Sequence, residues 1–215
     1  FRSLSGKAGA GYCAREYDRV MTTHNAPPPD TMHAMVLTEF GGPDVLHLAE
    51  LPIPVPGNDE VLVEIACASV NPADWKTREG KLAAFIDYHF PFVLGFDMAG
   101  VVAAVGPGVT GWQVGDQVFG MSNQRNGQDG TYAGYSLASA DMLAPLPDGW
   151  SFADAATLPT AGTTAYGGMV QVGGLQAGQT VLINGGAGGV GSIAIQIARA
   201  LGARVAVTCS TNNFD

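Results

Sequence analysis

The sequence predicts an α/β protein whose N-terminal part is rich in β-structure, and three observations predict it. Between residues 34 and 137, short apolar and alternating runs recur between glycine and proline turns, the texture of a barrel or a sandwich. From Asp148-Gly149 onward the pattern changes to helix-forming segments. Residues 180–201, TVLINGGAGGVGSIAIQIARAL, then read as an apolar strand, a turn of glycines and a helix.

Taken in order, residues 1–31 are polar, contain Pro27-Pro28-Pro29 and lack apolar periodicity, so they read as a disordered leader. The sequence opens on Phe1, and Met21, Met32 and Met35 are candidate starts. Short strands are expected at 34–37 and 45–50, around the turn Gly41-Gly42-Pro43-Asp44. Residues 51–57 carry three prolines and form an extended connector. Within 61–70, alternation puts Val61, Val63, Ile65 and Cys67 on one face and Glu64 on the other. A loop or short helix dense in polar groups fills 71–81. Residues 93–105 form a strand region interrupted by Gly95 and ended by Gly106-Pro107-Gly108, with further strands at 114–119 and 132–137.

Ser151 and Asp154 give a capping-box-like start to a short helix that ends before Pro159. A second helical segment spans 160–172, weakened by Gly167 and Gly168, and 173–178 is a loop. The helix from Gly188 carries one charge, Arg199, before Gly202, and a helix apolar all round is expected to be buried. Residues 205–209 supply a second apolar strand and complete a β-α-β unit.

In the turn, Gly186, Gly188 and Gly191 satisfy the G-x-G-x-x-G spacing of a dinucleotide-binding loop. The first glycine is expected to permit the tight turn, the second to let backbone approach a pyrophosphate, and the third to let helix and strand pack closely. The helix offers its unpaired N–H groups and the positive end of its dipole to the phosphates.

With 215 residues the chain suits one large domain or two ordinary ones. The net charge of −9 argues against a nucleic-acid surface, which needs clustered Lys and Arg. No apolar run reaches the ~18 residues that cross a bilayer. Cys13, Cys67 and Cys209 are scattered, which suits a reducing compartment, read here as the cytoplasm, and Cys67 and Cys209 read as buried apolar thiols.

Five strings occur in one order: NPADWKTREG (71–80), FVLGFDMAGVV (92–102), GDQVFG (115–120), LPTAGTTAY (158–166) and GGAGGVG (185–191). With them the chain, over about residues 32–215, resembles the medium-chain dehydrogenase/reductase family, and within it the zinc-independent, zeta-crystallin-like quinone oxidoreductases. The resemblance implies a GroES-like, partly open β-barrel over 32–150. Linker helices and the start of a Rossmann NADP-binding domain would follow over 151–215. In zinc-dependent relatives a cysteine stands in the place of Asn71 and a histidine in that of Phe96; neither residue here is a good zinc ligand. The structural zinc lobe is missing as well, since residues 121–130 hold no cysteine, and His24, His33, His47 and His89 lack ligand spacing.

The implied activity is reduction of a quinone or an activated C=C bond, in an enone or enoyl-thioester, by NADPH. Without a Lewis acid, hydrogen-bond donors must polarise the substrate carbonyl. The resemblance puts Asn71 beside the nicotinamide and Thr164 near the nicotinamide and phosphate end of the cofactor. It gives Gly186, Ala187, Gly188, Gly189, Val190 and Gly191 to the pyrophosphate. Asn71 before Pro72 is equally a turn-former. Lys76 stands where many relatives carry tyrosine, and is either a donor or part of a solvated helix face with Asp74 and Arg78. Phe85, Tyr88, Phe90 and Phe92 are candidates for lining a flat-ring site, at least half of them as core, with Tyr88 and Tyr132 as candidate donors.

An NAD enzyme carries Asp or Glu at the end of the second strand. Here Ser210, Thr211 and Asn213 stand there, and hydroxyls and amides can donate to a 2′-phosphate, which favours NADP. The family sheet has about six strands and two fall within this sequence. A truncated, non-catalytic paralogue kept as a binding or structural protein is therefore the alternative, and weak NADPH binding with little turnover is expected of this chain alone. Full-length relatives are commonly homodimers; the state of this chain is left open.

Overall fold

The computed structural model describes residues 28–127 and 130–213, with the backbone alone for Arg125 and Asn126. The expectation of a disordered leader, apart from residues 28–31, lies outside the described residues, as does Cys13. The chain divides into two compact units, the first ending at Thr157 and the second running from Leu158 to Asp215.

In the first unit, β1 (Thr31–Leu37) pairs antiparallel with β2 (Leu46–Pro52) and β4 (Phe92–Val93). A second antiparallel sheet, ordered β7-β3-β5-β6-β8, contains β3 (Glu60–Ala68), β5 (Asp97–Val105), β6 (Gln117–Met121), β7 (Tyr135–Ser139) and β8 (Leu143–Pro145). Together they form the partly open barrel that the resemblance implied.

Strand β5 is the centre of this sheet and is covered on both sides. Met98 and Val102 pack with Val61, Val63 and Val118, while Ala99 and Val101 pack with Phe152, Ala155 and Ala156. Burial on both faces explains its apolar run without alternation. The helix behind the second face is Phe152–Ala156, so the division between units falls after it and not at residue 150. Its start follows the expected cap, with Ser151 Oγ accepting from the Asp154 N–H at 3.1 Å.

Strand β3 departs from simple alternation. Val61, Val63 and Ile65 share a cluster, but Cys67 packs against the Phe152 cluster instead. The β3–β5 register shifts between Ile65 and Cys67, and such an irregularity re-aims the side chains beyond it. Cys67 and Cys209 are half-buried, not the fully buried thiols expected. Strand β8, three residues ending in Pro145, is too short to leave a period in the sequence.

In the second unit an α-helix, Pro159–Tyr166, passes into a π-helical segment, Gly167–Val172, where the expected weakening by Gly167 and Gly168 occurs. Strand β9 (Thr180–Asn184), the helix Gly189–Ala200 and β10 (Arg204–Thr208) form the β-α-β unit, with the two strands parallel. Numbered along the chain, the helices are α1 (Pro72–Arg78), α2 (Phe152–Ala156), α3 (Pro159–Tyr166) and α4 (Gly189–Ala200). Helix α4 is not buried all round. Only Gly191, Ala194 and Ala198 are buried, because α4 packs on two strands and α3 along a single stripe.

Candidate active site

The first group of candidate residues is organised by the start of α1. Asn71 is its N-cap, in extended conformation, and Pro72 opens the helix at a position where no N–H is required. Asp74, at the third helical position, accepts the Asn71 backbone N–H at 2.5 Å, and Asn71 and Asp74 form a capping box. The Asn71 side chain turns to β5: Nδ2 donates to Asp97 Oδ2 at 2.8 Å and to Ser69 Oγ at 3.3 Å. Ser69 Oγ in turn donates to Asp97 Oδ2 at 2.9 Å. The turn-former and site readings of Asn71 therefore coexist, since backbone and side chain do separate work.

Two carboxyl groups are buried here, Asp74 with 2% of its surface exposed and Asp97 with none. Burial raises the Asp74 pKa to about 6; the Asn71 and Tyr132 hydrogen-bonding groups oppose the rise and the nearby Asp97 charge adds to it. Asp74 Oδ1 and the Tyr132 hydroxyl are both enclosed without a well-formed hydrogen bond, although Tyr132 lies near enough to influence the carboxyl. Burial, and then the Asp74 charge, push the Tyr132 phenol above its ordinary range. The Tyr88 hydroxyl pairs with Thr77 Oγ1 at 3.4 Å inside the core. Neither tyrosine presents its hydroxyl outward.

The solvated-face reading of α1 is corrected in part. Asp74 is buried, and Arg78 Nε donates to the Gly41 carbonyl at 3.1 Å, so neither belongs to a free charged face. Lys76 is exposed, and its ammonium makes no ion pair among the described residues. Its Nζ lies 5.6 Å from the centre of the Trp75 ring, which Lys81 also approaches at 4.9 Å. Of the four aromatic candidates, Tyr88 and Phe92 are core residues stacked edge-on at 4.7 Å, and Phe85 and Phe90 are exposed. Phe96 is buried, as its hydrophobic side chain requires.

The second group lies in the β-α-β unit. The residue that takes the tight turn is Gly185, with φ of +73°, and not Gly186 as the motif suggested. Gly186 must be glycine for a different reason, because a Cβ there would fall 2.0 Å from Val207 Cγ1. At Gly191 a Cβ would fall 2.3 Å from the Gly185 carbonyl oxygen, which is the close strand–helix packing expected of the third glycine. At Gly188 a Cβ would meet only the Gly185 oxygen, at 3.3 Å, and at Gly189 nothing within 4 Å. The space over Gly188, at the N-terminus of the twelve-residue α4, is thus open to a ligand.

Thr208 ties this turn together, a role the sequence did not signal. Its Oγ1 donates to Asn184 Oδ1 at 3.0 Å and accepts the Gly185 N–H at 3.3 Å. Beyond β10, Thr211–Asn213 forms a 3₁₀ turn in which Asn213 Nδ2 donates to Ser210 Oγ at 2.8 Å. Ser210, Thr211 and Asn213 are thereby gathered, exposed, at the end of β10. Thr164 is exposed on α3 with its hydroxyl donated to the Thr160 carbonyl at 2.6 Å.

The residues missed in the sequence are Ser69 and Asp97, together with the buried role of Asp74. The available signal was an Asp at the third helical position after Asn-Pro, which is a capping-box pattern.

The model of the alcohol dehydrogenase GroES-like domain matches residues 57–148. The chain is 40% identical over 194 residues to 2-methylene-furan-3-one reductase of Solanum lycopersicum, covering 87% of this chain and 50% of that protein. It is 38% identical over 203 residues to a chloroplastic NADPH-dependent alkenal/one oxidoreductase of Arabidopsis thaliana, covering 91% and 52%. Among solved structures, an alcohol dehydrogenase superfamily protein from Novosphingobium aromaticivorans superposes with a TM-score of 0.79 at 42% identity, over 85% of this chain and 54% of that one. The chain spans about half the length of the relatives it matches. Barrel, glycine loop and relatives agree, and the chain belongs to the medium-chain dehydrogenase/reductase family.

Proposed function

We propose that the chain serves an NADPH-dependent, zinc-independent reduction of a quinone or an activated C=C bond, as in an enone or enoyl-thioester. The observation that carries the cofactor half of this reading is the glycine loop. Gly186 and Gly191 are glycine because protein atoms crowd them, whereas the space over Gly188 is open. That is the arrangement a pyrophosphate needs, with the backbone of Gly186-Ala187-Gly188-Gly189-Val190-Gly191 and the N–H groups of α4 as donors. Ser210, Thr211 and Asn213 supply neutral hydrogen-bonding groups and no carboxylate to repel a 2′-phosphate. Thr164 is proposed as a further cofactor contact.

Bound NADPH would supply a hydride. The work of this chain's residues is to bind the cofactor, orient it and lower the cost of charge on the substrate oxygen. Lys76, exposed and without an ion pair among the described residues, is the proposed donor to that oxygen. Asn71 is proposed to act at the nicotinamide end. Substrates of this kind are small molecules, and the relatives with such activities, an alkenal/one oxidoreductase and a furanone reductase, act as their names state.

The test is a fluorescence titration of the 215-residue chain with NADPH and NADH, beside absorbance decay at 340 nm with a simple quinone, an enone and a saturated ketone. Tighter binding of NADPH and acceptor-dependent oxidation with the quinone or enone are expected. Equal affinity for NADH overturns the NADP assignment. Saturable NADPH binding with no oxidation of any acceptor selects the alternative, a non-catalytic binding protein. We read the scattered cysteines as suiting a reducing compartment, the cytoplasm, whereas several relatives are named chloroplastic. A fluorescent fusion decides between them.

A further inference from the structure

Every hydrogen that Asn71 can donate is already committed inside the protein. The backbone N–H goes to Asp74 Oδ2, and Nδ2 reaches Asp97 Oδ2 and Ser69 Oγ. A carboxylate offers only acceptors, so the amide edge that faces Asp97 must be its NH₂ edge. The opposite orientation would set the Asn71 carbonyl oxygen against the Asp97 carboxylate with no hydrogen between them. The fully enclosed Asp97 could not turn to water to relieve that repulsion.

We propose that Asp97 is a positioning residue that locks the Asn71 carboxamide in one orientation, with its hydrogens turned to Asp97 and Ser69 and Oδ1 turned to the Asp74 N–H of the capping box. This rests on the oxidoreductase reading above and sharpens it. A quinone or an enone brings acceptors and no donor to the site, so Asn71 cannot be the group that polarises its carbonyl. The carboxamide oxygen keeps one lone pair beyond the capping box to accept from a hydroxyl or N–H of the cofactor, and the task of donating to the substrate falls to Lys76. Asp97 touches neither ligand and acts through Asn71.

The side-chain ¹⁵N–¹H signals of Asn71 in the 215-residue chain test the lock directly. Its Nδ2 hydrogens are expected to exchange at least about tenfold more slowly than those of the exposed Asn58, a protection a buried charge-assisted hydrogen bond supplies. Exchange as fast as Asn58 in the unaltered chain overturns the proposal without recourse to any variant. Asp97→Asn keeps the shape but presents either a donor or an acceptor, so the Asn71 amide is free to turn. In that variant the protection is expected to be lost while the core backbone amides stay protected, and NADPH binding should weaken by about tenfold. Unchanged protection overturns the lock. Unchanged NADPH affinity in a variant that has lost protection overturns the role of the lock in binding. If the unaltered chain binds no NADPH, the oxidoreductase reading fails, and the exchange result still decides the lock.

Discussion

Replacing Asp74 by Asn is expected to remove a pH-dependent penalty on the first unit. The Asp74 pKa rises from 3.8 to about 6 on folding, chiefly through burial. A native pKa above the unfolded one means that the native state holds the proton more tightly. The associated stability is therefore present in full below the unfolded value and is lost as pH rises through about 6. Two pK units correspond to about 3 kcal/mol, of which about 2 kcal/mol separates pH 4.5 from pH 7.5. Asn at this position can still accept the Asn71 N–H through Oδ1, while Nδ2 can face the Tyr132 hydroxyl, which now lacks a well-formed partner. Ionisable groups remote from Asp74 are common to both proteins and cancel in the difference. Trp75, Trp112 and Trp150 all lie in the first unit, so tryptophan fluorescence in urea reports on it selectively. Relative to the original chain, Asp74→Asn should gain about 2 kcal/mol on going from pH 4.5 to pH 7.5. Parallel stability curves for the two proteins would show that Asp74 is not a strained buried acid and would refute the reasoning.

Four further substitutions have expected outcomes. Gly191→Ala, which drives a Cβ to 2.3 Å from the Gly185 oxygen, should lower the unfolding temperature of the second unit. Gly188→Ala, at an open position, should leave that temperature nearly unchanged and weaken NADPH in a fluorescence titration; the opposite ranking would sink the division of labour among the glycines. Lys76→Gln should lower kcat/KM for an enone by about a hundredfold with urea stability unmoved, and an unaltered rate would return Lys76 to the solvated surface. Gln124 is fully buried with neither atom of its side-chain amide hydrogen-bonded, so Gln124→Met should stabilise the first unit by about 1 kcal/mol in urea unfolding. A loss of stability there would show that the amide is satisfied by an ordered water.

What the sequence made legible was local. Strand, glycine turn and helix at 180–200 could be read because neighbouring residues carry the whole signal, as could the Ser151 cap and the weak point at Gly167-Gly168. The motif nevertheless misassigned the first glycine. A spacing rule sees that a glycine is required, but not whether backbone angle or a neighbouring side chain requires it, and at Gly186 the neighbour is Val207. The face of Cys67 was misread for a related reason, since alternation cannot reveal a register shift that the partner strand imposes.

The polar cluster was illegible because its members meet only through the sheet. Asn71 and Asp97 are 26 residues apart and are joined where the end of β3 delivers Ser69 and Asn71 alongside the start of β5. Read singly, Asn71 was a turn-former or a site residue and Asp74 a surface charge. The fold makes both carboxylates buried acceptors, and that changes the chemistry assigned to the asparagine between them. Asn71 has no hydrogen left to donate once its bonds to Asp74, Asp97 and Ser69 are counted. The reaction's demand for a donor then passes to the one exposed cation of α1 that makes no ion pair among the described residues, Lys76.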